Sequence, residues 1–395
     1  MKPEQLNIFA TSRMQMNESI ELTIASLLEY GSRYDHWCMA WSGGKDSSTL
    51  VTLVIWLIQS GKIPAPKSLS IFYSDTRQEL TPLQLAVDTI SEEIAEHGYQ
   101  VHTVMAPIEK RFLCYILGRG VPPPSNRFRW CTGALKVYPM EERIVELHAE
   151  KGEKILMLTG VRQGESAARD GRIIQSCSKD GAECGQGWFQ TSMPDAICDT
   201  LAPILHWRVC HVWEWLKHWA PLPEYGDFST EIVADAYGGD EAEENNARTG
   251  CIGCPLVDKD QGLDNILKIP KWQYLAPLKE LKPLYRWMRF PANRLRKTGL
   301  DEGGKNKQRM GPLTFTARQS AFERIMSIQE RINQAADQLN MPKVWLINAE
   351  EEAHIRHCWS IGQWPDGWDG DEPTGDVIMN KIYKDGTVQP DLFGK

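Results

Sequence analysis

Ser42-Gly43-Gly44-Lys45-Asp46-Ser47-Ser48 stands between a short apolar run, His36 to Trp41, and a stretch from Asp46 to Gln59 with helical periodicity. A loop that leaves a buried strand and opens a helix aims backbone N–H groups at one spot, and the helix dipole adds positive potential there. That spot suits phosphate. Gly43 and Gly44 let the backbone approach an anion closely. Ser42, Ser47 and Ser48 offer hydroxyl donors and Lys45 a cation. Asp46 is unexpected beside phosphate unless it holds Mg2+ or an oriented water. The spacing differs from that of the Walker loop, which places four residues between its glycines before Gly-Lys-Ser/Thr.

Outward from the loop, strand and helix patterns alternate. Residues 17–31 read as a capped amphipathic helix ended by Gly31. Leu69 to Tyr73 reads as a second strand running into Ser74-Asp75-Thr76, Glu79 to His97 as a helix, Tyr99 to Met105 as a third strand and Lys154 to Thr159 as a later one. Such alternation implies βαβ units and a parallel sheet, a Rossmann-like α/β fold. Leu201 to Trp207 is a candidate edge strand, and Cys210 to Trp219 a Trp-rich helix. Beyond about Tyr225 the pattern changes. Residues 238–247 read as a loop, 265–300 and 316–339 as mainly helical, and the last 30 or so carry few periodic signals. The expected organisation is a domain over residues 1–225 and a helical and irregular region over 226–395.

The chain has 395 residues and a net charge of −8. It is long enough for a sizeable core, and the charge argues against a globally basic nucleic-acid binder. No apolar run reaches the roughly 20 residues a membrane helix needs. Met1 to Gln5 has no charged-then-apolar signal, so a cytoplasmic location is expected. The ten cysteines then favour free thiols or a metal site over disulfides. Cys251-Ile252-Gly253-Cys254 has a spacing that suits a metal or cluster edge and equally a redox dithiol. A cluster, a bare thiol pair, zinc and simple burial all remain open. From Lys279 to Arg309 there are ten Lys or Arg against three Asp or Glu, interleaved with Tyr285, Trp287 and Phe290. That composition suits nucleic acid, with Arg294, Arg296 and Lys297 as candidate DNA contacts. A solvated helix face is the plainer alternative. Glu350-Glu351-Glu352 and Asp366 to Glu372 read as solvated surface or as a contact for a basic partner.

The order Ser-Gly-Gly-Lys-Asp-Ser at 42–47 resembles the PP-loop of ATP pyrophosphatases, which cut ATP between its α and β phosphates and adenylate an acceptor oxygen. Further segments resemble the phosphoadenosine phosphosulfate (PAPS) reductase branch. These are Ser74-Asp75-Thr76, Cys131-Thr132 with Leu135-Lys136, Gly160-Val161-Arg162 with Glu165-Ser166 and Arg169, and Pro203-Ile204 with Trp207, Val212 and Trp213. The last of these reads as packing. The Thr76-Arg77-Gln78-Glu79-Leu80 run is most similar to the DNA phosphorothioation sulfurtransferases of the DndC and SspD kind. That resemblance implies an ATP pyrophosphatase that adenylates a DNA phosphate oxygen for replacement by sulfur. It implies DNA, a cysteine desulfurase as sulfur donor and other DNA-modification subunits as partners, and no membrane. By the same resemblance, Ser42, Gly43, Gly44, Lys45, Asp46, Ser47, Ser48, Asp75, Gly160 and Arg162 bind ATP. Lys45, Asp46 and Arg162 act in catalysis, Asp46 and Asp75 hold Mg2+, and Cys131, Cys251 and Cys254 are candidate ligands of a four-iron, four-sulfur (4Fe-4S) cluster. Cys177, Cys184 and Cys198 are further ligand candidates if the 175–200 loop folds inward. A reductase acting on a small sulfonucleotide and a nucleotide-sensing subunit without turnover are the rivals. The end of the chain, Gln389 to Lys395, lacks the Glu-Cys-Gly-Leu-His tail of the true reductases.

Overall fold

The structure, a computed structural model, describes residues 14–163, 196–239, 242, 250–299, 308–383 and 385–390. It divides into two compact units. The first takes residues up to Ser74, Ala86–Val104 and Glu141–Ala234; the second takes Asp75–Leu85, Met105–Met140 and Asp235–Lys395. The sequence expectation of one boundary at residue 225 misses this interleaving. Two segments of the N-terminal half, which carry Asp75 and Cys131, belong to the second unit.

Among the described residues the first unit is built on a five-stranded sheet. Its strands are β1 (His36–Trp41), β2 (Ser68–Asp75), β3 (Val101–Met105), β4 (Ile155–Leu158) and β5 (Cys198–Leu201), in the order β3-β2-β1-β4-β5. β1 pairs in parallel with β2 and β4, and β4 with β5. This is the α/β architecture that the alternating pattern implies. The helices are α1 (Met16–Tyr30), α2 (Lys45–Gln59), α3 (Thr81–Glu96), α4 (Tyr138–Lys151) and α5 (Val209–Glu214), the last running on into a π-helical turn, Trp215–Trp219. α2 is buried from Ser47 through Leu57. A parallel sheet covered by helices requires this, and it is why the α2 sequence is apolar nearly all round.

The edge strand is Cys198–Leu201, not 201–207 as its apolar character suggests. Residues 202–207 form turns, with Leu205 N bonded to Ala202 O and Trp207 N to Ile204 O. Trp207 is spent on packing: its Nε1 donates to Thr23 Oγ1 at 3.0 Å. Trp215 Nε1 similarly donates to Thr52 Oγ1 at 2.9 Å. The tryptophan-rich stretch is core.

The second unit packs the helices α6 (Gln261–Ile266), α7 (Leu281–Met288), α8 (Phe315–Leu339) and α9 (Ala349–Ser360), with a long 3-10 segment, Pro270–Glu280, running into α7. A two-stranded ribbon, β6 (Arg294–Arg296) and β7 (Met310–Leu313), lies within it. One apolar cluster joins Phe112, Ile116, Leu135, Trp272, Tyr285, Phe322, Ile325 and Ile355. Arg318 is buried there, with its guanidinium 3.8 Å from the Trp364 ring centroid and Nη1 donating to Gly118 O at 2.9 Å. Gly120, at φ +82°, leaves no space for a Cβ beside that guanidinium. No helix among the described residues is long and apolar enough to cross a membrane.

Candidate active site

The order β3-β2-β1-β4-β5 reverses direction between β1 and β4. In open α/β sheets that is the point where loops from the carboxyl ends of neighbouring strands diverge and leave a ligand crevice. Here the diverging segments are Ser42–Ser48, after β1, and Thr159–Gln163, after β4. Gly43 adopts φ +73°, and Gly44 is the N-cap of α2. The N–H groups of Lys45, Asp46 and Ser47 therefore fall in the first turn, which has no intrahelical acceptors.

Hydroxyls hold the loop. Ser42 N donates to Ser47 Oγ at 3.2 Å, Ser47 Oγ to Gly44 O at 3.1 Å, and Ser48 Oγ to Gly43 O at 3.2 Å. Trp41 Nε1 donates to Ser48 Oγ at 2.9 Å. Ser48 is thus a buried brace, while Ser42 and Ser47 close the loop on itself. Gly160 is needed because the start of α2 lies on it. A Cβ there would come 2.7 Å from Asp46 O and 2.9 Å from Ser47 N.

Asp46 lies between two cations. Arg162 Nε donates to its Oδ1 at 2.6 Å and Lys45 Nζ to its Oδ2 at 2.9 Å. Arg162 is only 3% exposed, and its Nη1 donates to Trp207 O at 3.2 Å. Three residues that the sequence marks for catalysis are thus one charge chain at the N-terminus of a helix.

Asp75, the last residue of β2, belongs to the second unit. Its Oδ1 accepts from Arg77 N at 2.7 Å and stabilises Arg77 at φ +60°. Arg77 is held further by Trp345 O at 2.9 Å and by the buried Glu351 at 3.3 Å. Glu351, read from sequence as solvated surface, is instead the inward end of the α9 capping box.

The same unit gathers Cys131, Cys251 and Cys254, all half-buried. Gln78 O accepts from Ile252 N at 2.9 Å, which ties the segment after Asp75 to the Cys-x-x-Cys turn. Burial pushes the Cys251 thiol up to about 11. Lys136 pulls it down, and Glu79, Cys254 and Cys131 add to the rise. Cys131 is raised by burial and then by Cys254. Glu79 is itself raised, chiefly by burial, although Thr76 Oγ1 donates to it at 2.6 Å. Glu79 and Lys136 are participants that sequence reading passed over, although both lie in segments it quoted. No group of three or more His, Cys, Asp or Glu side chains among the described residues is arranged to hold a metal ion. Zinc would need such a group, with sulfurs within roughly 4 Å of one another for Zn–S bonds near 2.3 Å. An iron–sulfur cluster binds each thiolate through a different iron and spaces them more widely. Glu165, Ser166, Arg169, Cys177 and Cys184 lie outside the described residues. Cys198 belongs to β5 of the first unit.

The side chains expected to contact DNA have partners inside the second unit. Arg294 donates twice to Gly311 O, at 2.9 and 2.7 Å. Arg296 Nε donates to Gln308 O at 3.3 Å, and Lys297 Nζ to Glu372 at 2.6 Å. These side chains hold the β6–β7 ribbon and its neighbours together. Among the described residues of the basic stretch, Lys279, Arg286, Phe290 and Arg309 are exposed and Arg289 is half-exposed.

The Phosphoadenosine phosphosulfate reductase domain family matches residues 36–220, just under half of the chain. Both segments of the first site lie inside the matched residues, whereas Cys251 and Cys254 lie beyond them. An uncharacterized protein of Methanocaldococcus jannaschii is 22% identical over 218 residues, which cover 55% of this chain and 41% of that relative. Three solved structures are partly similar. Candida glabrata FMN adenylyltransferase, in complex with FMN and an ATP analogue, is 15% identical, covering 51% of this chain and 57% of that one at a TM-score of 0.31. Candida auris PAPS reductase, as a phosphate complex, is 11% identical over 52% and 86% at 0.31. The U34-tRNA thiolase NcsA of Methanococcus maripaludis, with its 4Fe-4S cluster, is 14% identical over 58% and 76% at 0.33. Nothing about ligands of this chain follows from likeness of that size.

Proposed function

We propose that the chain is an ATP pyrophosphatase that adenylates a phosphate oxygen of the DNA backbone, so that sulfur can replace that oxygen. The observation that carries the reading is the Lys45–Asp46–Arg162 chain at the N-terminus of α2, where the strand order reverses. In this reading the first-turn N–H groups and Lys45 receive the pyrophosphate end of ATP. Arg162, held at a fixed place by Trp207 O, offsets charge that builds on the phosphate under attack. Both Asp46 oxygens accept from cations in the free protein, so polyphosphate draws Lys45 away and releases one of them. Mg2+ would neutralise polyphosphate charge when bound, and Asp46 is the loop acid that would hold it. The acceptor oxygen attacks the α-phosphorus of ATP, the bond from that phosphorus to the α–β bridging oxygen breaks, and pyrophosphate leaves as the acceptor takes up AMP.

DNA as the acceptor is supported by the basic, aromatic composition around α7, where Arg286, Arg289 and Phe290 reach the surface. Sulfur handling is supported by the Cys131, Cys251 and Cys254 group, with a cysteine desulfurase as donor, other DNA-modification subunits as partners and a 4Fe-4S cluster as the cofactor these thiols would hold. The test is pyrophosphate release from ATP with and without duplex DNA. Release that rises severalfold with DNA, and falls back as salt screens the phosphate contacts, is the expected result. Release indifferent to DNA at every salt concentration points to another acceptor. Sulfite release from a sulfonucleotide, without pyrophosphate, would favour the reductase reading that the family match also accommodates.

A further inference from the structure

α1 lies ahead of the matched residues 36–220, yet two of its side chains take part in the support of Arg162. Ser19 and Thr23 stand four residues apart on one face of the helix, and both are fully buried. Buried hydroxyls are costly unless their hydrogen bonds are met. Here the turn at 202–207 meets them. Thr23 Oγ1 accepts from Trp207 Nε1 at 3.0 Å, and its proton is shared between Ser19 O at 3.0 Å and Pro203 O at 3.2 Å. His206 Nε2 donates to Ser19 O at 2.9 Å. Ser19 Oγ meets His211 Nδ1, in the first turn of α5, at 3.1 Å.

The same turn holds the segment after β4. Thr159 N donates to Leu201 O and Gln163 N to Leu205 O, both at 2.9 Å. Val161 packs on Ala202 and Leu205. Arg162 Nη1 donates to Trp207 O at 3.2 Å, and Arg162 Nε reaches Asp46 Oδ1 at 2.6 Å. Trp207 therefore joins the two sets of bonds, its indole fixed by α1 and its carbonyl fixing Arg162. Every link lies in the first unit.

We propose that α1 is a positioning element of the active site, in which Thr23 and Ser19 fix Trp207 and so set where Arg162 meets the phosphate under attack. This rests on the ATP-cleavage reading above and adds to it a helix from outside the matched residues. Both hydroxyls are spent within the protein, so they act through Trp207. A misplacement of about 1 Å that starts far from the chemistry can cost roughly 100-fold in rate.

The experiment uses the full chain as wild type, Thr23→Val and Thr23→Ser. Valine keeps the shape and removes the bonds to Trp207 and Pro203, whereas serine keeps the oxygen. Pyrophosphate release is followed against ATP concentration in the presence of duplex DNA, and urea melts establish that each variant is folded. Arg162 offsets charge that builds during transfer, so the loss should fall on kcat: about tenfold in Thr23→Val with an unchanged KM for ATP, and a return to within about twofold of wild type in Thr23→Ser. A second measurement needs no turnover. Exchange of the Arg162 Nε–H with solvent, followed by NMR and assigned with Arg162→Lys, should be at least about tenfold faster in Thr23→Val than in the wild type or Thr23→Ser. An unchanged kcat in a folded Thr23→Val, an equal loss in Thr23→Ser, or an Arg162 Nε–H as protected as in the wild type overturns the proposal. If the wild type releases no pyrophosphate, the ATP-cleavage reading fails, and the exchange rates alone decide whether α1 holds Arg162.

Discussion

Asp46→Asn should fold and lose pyrophosphate release by about 100- to 1,000-fold, the range seen when one electrostatic group of a catalytic site is removed. The amide oxygen can still accept from Arg162 Nε, now 2.6 Å from Asp46 Oδ1, so the buried guanidinium keeps a partner. The charge that balances Lys45 and would hold Mg2+ is gone. Asp46→Ala is a different experiment. From sequence alone Asp46 is placed for metal and not for packing, so alanine should be harmless to the fold. The structure shows otherwise, because Asp46 is the anion that accompanies a 3% exposed arginine. Removing one partner of a buried pair costs about 3–5 kcal/mol. The partly exposed Asp46 carboxylate places this case at or below the low end of that range. Urea melts of the two variants measure the difference. Asp46→Asn turning over at the wild-type rate would remove Asp46 from the mechanism.

Gly160→Ala should damage nucleotide binding while removing no side chain that could contact nucleotide. The new methyl would stand 2.7 Å from Asp46 O and 2.8 Å from Asp46 C. Those atoms are backbone and cannot rotate aside, so either the β4 segment or the start of α2 must move. Overpacking of this kind costs about 1–3 kcal/mol. A shift at the first turn of α2 misdirects the N–H groups of Lys45, Asp46 and Ser47 together, and nucleotide affinity should fall at least tenfold by calorimetry. Wild-type melting and affinity in this variant would mean that α2 and Gly160 are not held together as described.

Much of the first site was legible because its signals are local. The strand His36–Trp41, the glycines and the helix from Lys45 lie within 24 consecutive residues, and each has its own reason to be what it is. Arg162 could be marked only as part of a motif, since its partner lies 116 residues away. The helix Ala349–Ser360 was missed although Asn348 and Glu351 form a capping box, a pattern that can be read from sequence. Three successive glutamates drew attention to charge instead. The partners of the basic stretch were hidden for a different reason. Composition counts cations but does not say which carbonyl or carboxylate each will meet, and Arg294 meets Gly311 across a ribbon that propensity does not announce. The convergence of Cys131 with Cys251 depends on a segment of the N-terminal half joining the second unit.

The central claim is that Ser42–Ser48 and Arg162 cleave ATP between its α and β phosphates. The most direct test is product analysis with α-labelled ATP, Mg2+ and duplex DNA, using Asp46→Asn as the control. Label recovered as adenylate on DNA or as AMP, the two together equal to the pyrophosphate released, and both reduced by at least about 100-fold with the control, is the result expected. Labelled ADP with orthophosphate, or the same AMP yield from Asp46→Asn, would contradict the account.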